Sequence, residues 1–188
     1  MEPIISYIPE GEQETRDKEL MLAFIERNPD CLDRTNLAAH LTSSAIITDP
    51  EKEQVLLIHH NIYKSWGWVG GHNDGDPDFL GVAMREAMEE TGLKSVRLVS
   101  KDIFMLDVIY VPNHIKHGRY VPDHLHLNVT YLLEADPNAP LEIKPDENSG
   151  VRWFPLDDLV KVSEEPRMHP VYEKAVRRIR QLKSKATI

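Results

Sequence analysis

The stretch 79–91 constrains the fold of this chain more than any other. Apolar residues recur in it at three- and four-residue steps, and Gly92 is placed to end a helix. At ~100° per residue, Glu86, Glu89 and Glu90 fall within an arc of about 100°, because i, i+3 and i+4 positions share a helix face. Leu80, Met84, Ala87, Met88 and Thr91 lie on roughly the opposite side, although Phe79 and Val82 fall near the acidic arc and blur the division. The spacing predicts a helix that buries one stripe against a sheet and presents three carboxylates together. Like charges so arranged repel and raise one another's pKa, a cost that a divalent cation would relieve. Oxygen-only coordination suits Mg²⁺, with Mn²⁺ as a substitute, better than Zn²⁺. Taken alone, the same spacing also describes a solvated helix whose charge is offset by Arg85 and Lys94.

The flanking segments place this helix in a mixed fold. Residues 13–27 carry Leu20, Met21, Phe24 and Ile25 at helical spacing, and Asn28-Pro29-Asp30 stops the pattern. Leu41–Thr48 and Gln54–His59 are β-rich runs around a turn-like Asp49-Pro50-Glu51-Lys52-Glu53, which predicts a hairpin. Strands are expected over 102–111, 124–134 and 151–154, with residues 112–123 as a polar loop. Met168, Tyr172, Ala175, Ile179 and Leu182 predict a final helix docked by one face, with Lys174, Arg177, Arg178, Arg180 and Lys183 solvated. The order lacks a regular strand–helix alternation, so an α+β or layered α/β/α domain with a mixed sheet is expected, preceded by an N-terminal helix. One domain is expected over 1–188, as an extension 1–40, a core 41–160 and a C-terminal helix 161–188.

Gly70-Gly71-His72-Asn73-Asp74-Gly75-Asp76-Pro77, followed by Arg85-Glu86-Ala87-Met88-Glu89-Glu90-Thr91-Gly92-Leu93, resembles the signature of the Nudix hydrolases. Gly71, Arg85, Glu86, Ala87, Glu89, Glu90, Gly92 and Leu93 match it in register, and Pro77 stands where the signature has its first Glu. Asp76-Pro77 suits an N-cap and first helical residue, or Asp78 caps instead. The resemblance implies an α/β/α sandwich and metal-dependent attack of water on a diphosphate. By position it implies metal-binding and base-supplying roles for Glu86, Glu89 and Glu90, a further metal ligand in the Gly70 carbonyl, and an orienting ion pair from Arg85. Glu147, before the closing strand, is the candidate for the additional loop glutamate that many members use; an ordinary solvated turn is the alternative. A nucleoside-diphosphate-linked or related small molecule is the expected substrate. Pro77 keeps open a binding or sensor module on the same fold, and Cys31 is poorly placed for the isomerase branch.

Other residues have both functional and plain readings. His72 and Gly71 could meet a phosphate, and Trp68, like Trp66, could stack on a base or sugar or simply pack. Arg119, with His114, Lys116 and His117, could meet substrate phosphates or decorate a surface loop. His124 and His126 share a strand face, but spacing supplies no third ligand for zinc. A net charge of -9 argues against a nucleic-acid partner, and no run approaches a membrane span. One cysteine and no leader-like start lead to the expectation of a soluble, cytoplasmic protein, with a homodimer through the N-terminal helix as an option.

Overall fold

Alternating and helical patterns in the sequence become ten strands and five α-helices in the computed structural model, which describes residues 1–116 and 118–186, with side chains to residue 184. The chain forms two compact units, Met1–Ala45 with Gly70–Glu86 and Ser100–Tyr131, and Ile46–Val69 with Ala87–Val99 and Leu132 onward.

In the first unit, helices α1 (Glu2–Ser6) and α2 (Gly11–Arg27) precede the start of β1 (Ala39–Thr48). Later come most of β4 (Val69–His72) and of α3 (Phe79–Thr91), then β6 (Met105–Val111) and most of β9 (His124–Glu134). β6 and β9 pair antiparallel without a break from Met105↔Thr130 to Val111↔His124. The segment expected as a loop between them is instead partly a small hairpin, β7 (His114–Lys116) with β8 (Arg119–Val121), because Gly118 takes φ +75° at its turn. Amphipathic α2 docks on β6 through carboxylates. Glu14, fully buried, accepts from Leu106 N (3.3 Å), Tyr7 Oη (2.7 Å) and Glu10 N (2.8 Å), and Asp17 accepts from Val108 N (2.9 Å). These bonds satisfy strand N–H groups that would otherwise offer an open edge.

In the second unit, the end of β1 pairs with β2 (Gln54–His60) as the expected hairpin, with Ile47↔Leu56 and Thr48↔Val55 in register. Asp49 Oδ1 closes the turn by accepting from Glu53 N (2.8 Å) and Gln54 N (2.6 Å). β2 also pairs with β3 (Ser65–Gly67) and β10 (Asn148–Pro155), and β5 (Arg97–Leu98) pairs with the end of β9. The remaining helices are α4 (Leu159–Val162) and α5 (His169–Ala186). Met168, Tyr172, Ala175 and Ile179 are buried as their spacing predicts, while Leu182 is exposed. The basic stripe on α5 departs from expectation: Lys174 and Arg178 are buried, so this face is not uniformly solvated.

Helix α3 has the predicted bounds, and Gly92 ends it at φ +75°. Its buried stripe is rotated from the expected one. Phe79, Val82, Ala83, Ala87, Glu90 and Thr91 are buried, whereas Leu80, Met84 and Met88 are only half-buried. Glu86 and Glu90 therefore lie within the buried face, between Val82 and Ala87, and not opposite it. Burying Phe79 and Val82 contributes about 1.5–3 kcal/mol each, which helps to hold carboxylates that would otherwise favour water.

Candidate active site

The loop from Gly70 to Asp78 is built by local polar bonds in the first unit. Asn73, buried, accepts from Ser43 Oγ (3.0 Å) and donates from Nδ2 to the Asp76 carbonyl (2.7 Å). Asp74 and Gly75 turn the chain with φ +48° and +88°. Asp78 caps α3, accepting from Gly81 N at 3.0 Å, so the cap is Asp78 and Pro77 lies outside the helix. Asp76, beside Pro77, ion-pairs with Arg85 (3.5 Å). Arg85 is thus held by a loop aspartate ahead of the helix, where the resemblance implies an ion pair to the acidic cluster.

Gly70 and Gly71 are places of close approach. A Cβ on Gly70 would stand 2.8 Å from Ser44 Cα, and one on Gly71 would stand 2.5 Å from Cδ and 2.9 Å from Cγ of Glu86. The Glu86 side chain lies directly on the Gly71 backbone. That contact requires glycine, and it pairs two residues that the signature spaces fifteen positions apart.

In the second unit, Glu90 is buried at 2% exposure and Glu89 is open to solvent. Lys144 bridges Glu89 (3.0 Å) and Glu147 (3.2 Å), bringing the loop glutamate and a glutamate of α3 to one cation. Partial burial disfavours the Lys144 ammonium, but hydrogen bonds and charge from both carboxylates outweigh it and hold its pKa above the ordinary lysine value. The loop is shaped by Glu147 N and Asn148 N, both donating to the Lys144 carbonyl at 2.8 Å. Asn148, buried, donates from Nδ2 to the Glu90 carbonyl (2.9 Å) and ties the loop to the end of α3. Sequence reasoning missed Lys144, Asn148 and Asn73, which carry no periodic or motif signal.

In the second unit, Glu89 and Glu147 are carboxylates drawn to one cation, the Lys144 ammonium. These donors fit a hard divalent ion and do not fit a soft one.

The remaining predicted residues belong to both units. His72 packs its ring 5.0 Å from the rings of His40 and His126. Burial, then nearby cationic groups led by Arg34, pushes its pKa down to about 2, so it is neutral and is no cationic clamp for phosphate. Trp68 stands edge-on to Tyr172 at 5.5 Å, and its backbone N–H donates to the Tyr172 hydroxyl (3.4 Å). Trp66 packs against Phe154 (4.9 Å), with Arg152 over both rings. Both tryptophans have packing partners. Arg119 is exposed on β8 and Lys116 lies on β7, with His114 Nδ1–H donating to the Pro112 carbonyl (3.0 Å). His117 lies outside the described residues.

The NUDIX domain profile matches residues 38–179. A C. elegans Ap4A hydrolase, solved as a binary complex, superposes with TM-score 0.52 at 16% identity over 71% of this chain and 93% of that one. The E. coli dihydroneopterin triphosphate pyrophosphohydrolase gives TM-score 0.55 at 14% identity over 72% and 94%. A NUDIX family hydrolase from Clostridium perfringens gives 0.51 at 20% identity over 76% and 97%. At such identities these likenesses describe the fold, which is α+β and Nudix-like. With the profile covering three quarters of its length from β1 into α5, the chain belongs to the Nudix family.

Proposed function

We propose that the protein is a metal-dependent hydrolase of a diphosphate linkage in a nucleoside-diphosphate-linked or related small molecule. The observation that carries this reading is the crowding of Glu86, Glu89 and Glu90 on adjoining turns of α3, where like charges repel and a divalent cation would relieve them. Glu86, Glu89 and Glu90, with the Gly70 carbonyl and Glu147, would hold Mg²⁺, or Mn²⁺ in its place. When bound, such an ion neutralises charge growing on phosphoryl oxygens and lowers the pKa of attacking water. Gly71 lets the Glu86 carboxylate settle against β4, Arg85 and Asp76 fix the loop ahead of the helix, and Glu147 would activate the attacking water. Water adds to one phosphorus, the bond to the bridging oxygen breaks, and two phosphate-terminated products leave. Gly71 and His72 would line the phosphate side as neutral groups, with Trp68 and Arg119 as candidate contacts for the rest of the substrate.

Pro77 favours a second reading, a weakly active or sensing module, because it removes the carboxylate that the signature places there. The whole chain reads as one Nudix domain with an N-terminal helical extension and without a nucleic-acid partner; a cytoplasmic setting suits the buried free thiol of Cys31. No helix among the described residues is long and apolar enough to cross a membrane.

The test is a turnover screen across nucleoside triphosphates, dinucleoside polyphosphates, ADP-ribose, nucleotide sugars and dinucleotide cofactors, with Mg²⁺, Mn²⁺ or chelator. Turnover that requires the metal and falls by roughly 10²-fold or more in Glu90→Gln is expected. No turnover on any compound, with binding retained, would transfer the conclusion to the sensing module.

A further inference from the structure

The chemistry proposed for the α3 glutamates leaves a second cluster of metal-binding side chains without a role. In the first unit, His40, Thr42 and Ser44 share one face of β1, and His124, His126, Asn128 and Thr130 share one face of β9. Thr42 Oγ1 and Ser44 Oγ each donate to Asn128 Oδ1 at 2.8 Å, and Asn128 Nδ2 donates to Thr130 Oγ1 at 3.0 Å. This buried polar ladder holds the two faces together. Further along the same faces, His40, His124 and His126 each offer a ring nitrogen, and the three atoms lie within 4.8 Å of one another.

Backbone carbonyls determine which nitrogens are bare. His40 Nδ1 lies 3.0 Å from the Asn36 carbonyl oxygen and His124 Nδ1 lies 2.8 Å from that of Pro122. A carbonyl only accepts, so each Nδ1 carries the proton and each Nε2 of the neutral ring is a lone pair. His124 Nε2 is 3.2 Å from His126 Nε2. A proton shared by that pair would satisfy it, but His40 Nε2 is buried and has no hydrogen-bond partner among the described residues. A cation within reach of all three rings accounts for the bare Nε2 atoms of His40 and His124.

We propose that His40, His124 and His126 bind one borderline transition-metal ion, Zn²⁺ being the reference, separate from the glutamate site. Zn–N bonds of about 2.05 Å set tetrahedral nitrogens roughly 3.3 Å apart, and the His124–His126 separation of 3.2 Å matches that edge. The Nδ1–H bonds to carbonyls are those that orient metal-binding histidines and raise their basicity. Imidazole donors select Zn²⁺, Ni²⁺ or Cu²⁺ over Mg²⁺, so the two sites sort ions by donor type. Three protein ligands leave a fourth position for water or an anionic oxygen, as in catalytic zinc sites. The His72 ring packs against those of both His40 and His126.

The experiment titrates the full-length, chelator-stripped protein with Co²⁺ in excess Mg²⁺ and records visible absorption. One equivalent is expected to give the intense d–d bands of a low-coordinate nitrogen site, and one equivalent of Zn²⁺ is expected to displace it. X-ray absorption of the Zn²⁺-loaded wild type should show histidine nitrogens at about 2.0–2.1 Å. His40→Ala and His126→Ala should each weaken Co²⁺ binding by roughly 10²-fold or more, since loss of even an outer hydrogen-bond partner costs 10–100-fold. Glu89→Gln should leave it unchanged. A weak octahedral spectrum, an oxygen-only shell in the wild type, unaltered affinity in folded histidine variants, or loss of Co²⁺ binding in Glu89→Gln would each overturn the proposal. The wild-type spectra decide the matter even if a histidine variant does not fold.

Discussion

Substituting Gly71 by alanine isolates the contact between the glycine pair and Glu86. The new Cβ would sit 2.5 Å from Glu86 Cδ, against an ordinary contact of 3.4 Å, so the carboxylate must retreat by about 1 Å. What moves is the end of a flexible side chain and not backbone, so the fold should tolerate the change. Its melting temperature should drop by no more than a few degrees. Catalysis should not tolerate it, because a misplacement of about 1 Å at a reacting centre costs on the order of 10²-fold, equivalent to about 2.7 kcal/mol in the barrier. The assay is steady-state phosphate or nucleotide release on the best compound of the screen, at saturating Mg²⁺, for wild type, Gly71→Ala, Glu86→Gln and the double variant. If Gly71 acts through Glu86, the double variant should be no slower than Glu86→Gln alone. Near-wild-type turnover in Gly71→Ala, or losses that multiply in the double variant, would refute the reasoning.

Three further outcomes are expected. Glu14→Ala should destabilise the protein by roughly 3 kcal/mol, read from urea unfolding, because Tyr7, Glu10 and Leu106 lose a shared buried acceptor; Glu14→Gln, which keeps an acceptor oxygen, should cost less. Lys144→Met removes a cation that competes for Glu89 and Glu147, so half-saturating Mg²⁺ should fall by about tenfold, given ~0.2–1 kcal/mol per partly exposed pair; an increase would place Lys144 on the substrate side instead. Burial, then the charges of Asp78 and Asp102, pushes the Tyr131 pKa up to about 12. The fold favours the neutral phenol, so this contribution is complete below pH ~10, the unfolded value, and is lost as pH rises toward about 12. Thermal melts should show that decline, and Tyr131→Phe should flatten it.

Much of the fold was legible because its signals are local. Helix α3 could be bounded at Phe79 and Thr91 because a period of 3.6 and a terminating glycine lie within one contiguous stretch. The β1–β2 hairpin followed for the same reason, from two β-rich runs around a turn. The β7–β8 hairpin was not legible, because three-residue strands among polar residues fall below any periodic signal. The rotation of the α3 stripe escaped as well. Helical spacing says which residues share a face, but the packing of Phe79 and Val82 decides which face is inside.

By itself, then, the sequence determined the family and the carboxylate spacing, since both are patterns along one contiguous stretch of chain, residues 70–93. Tertiary structure alone decided that Glu86 rests on Gly71, that Arg85 turns to Asp76, and that Lys144 draws Glu147 to Glu89. It also decided that His40, far away in the chain, completes a cluster with His124 and His126. The physical reason is common to all four: a contact across strands or loops depends on register and backbone approach, and neither is written in the spacing of residues along one segment.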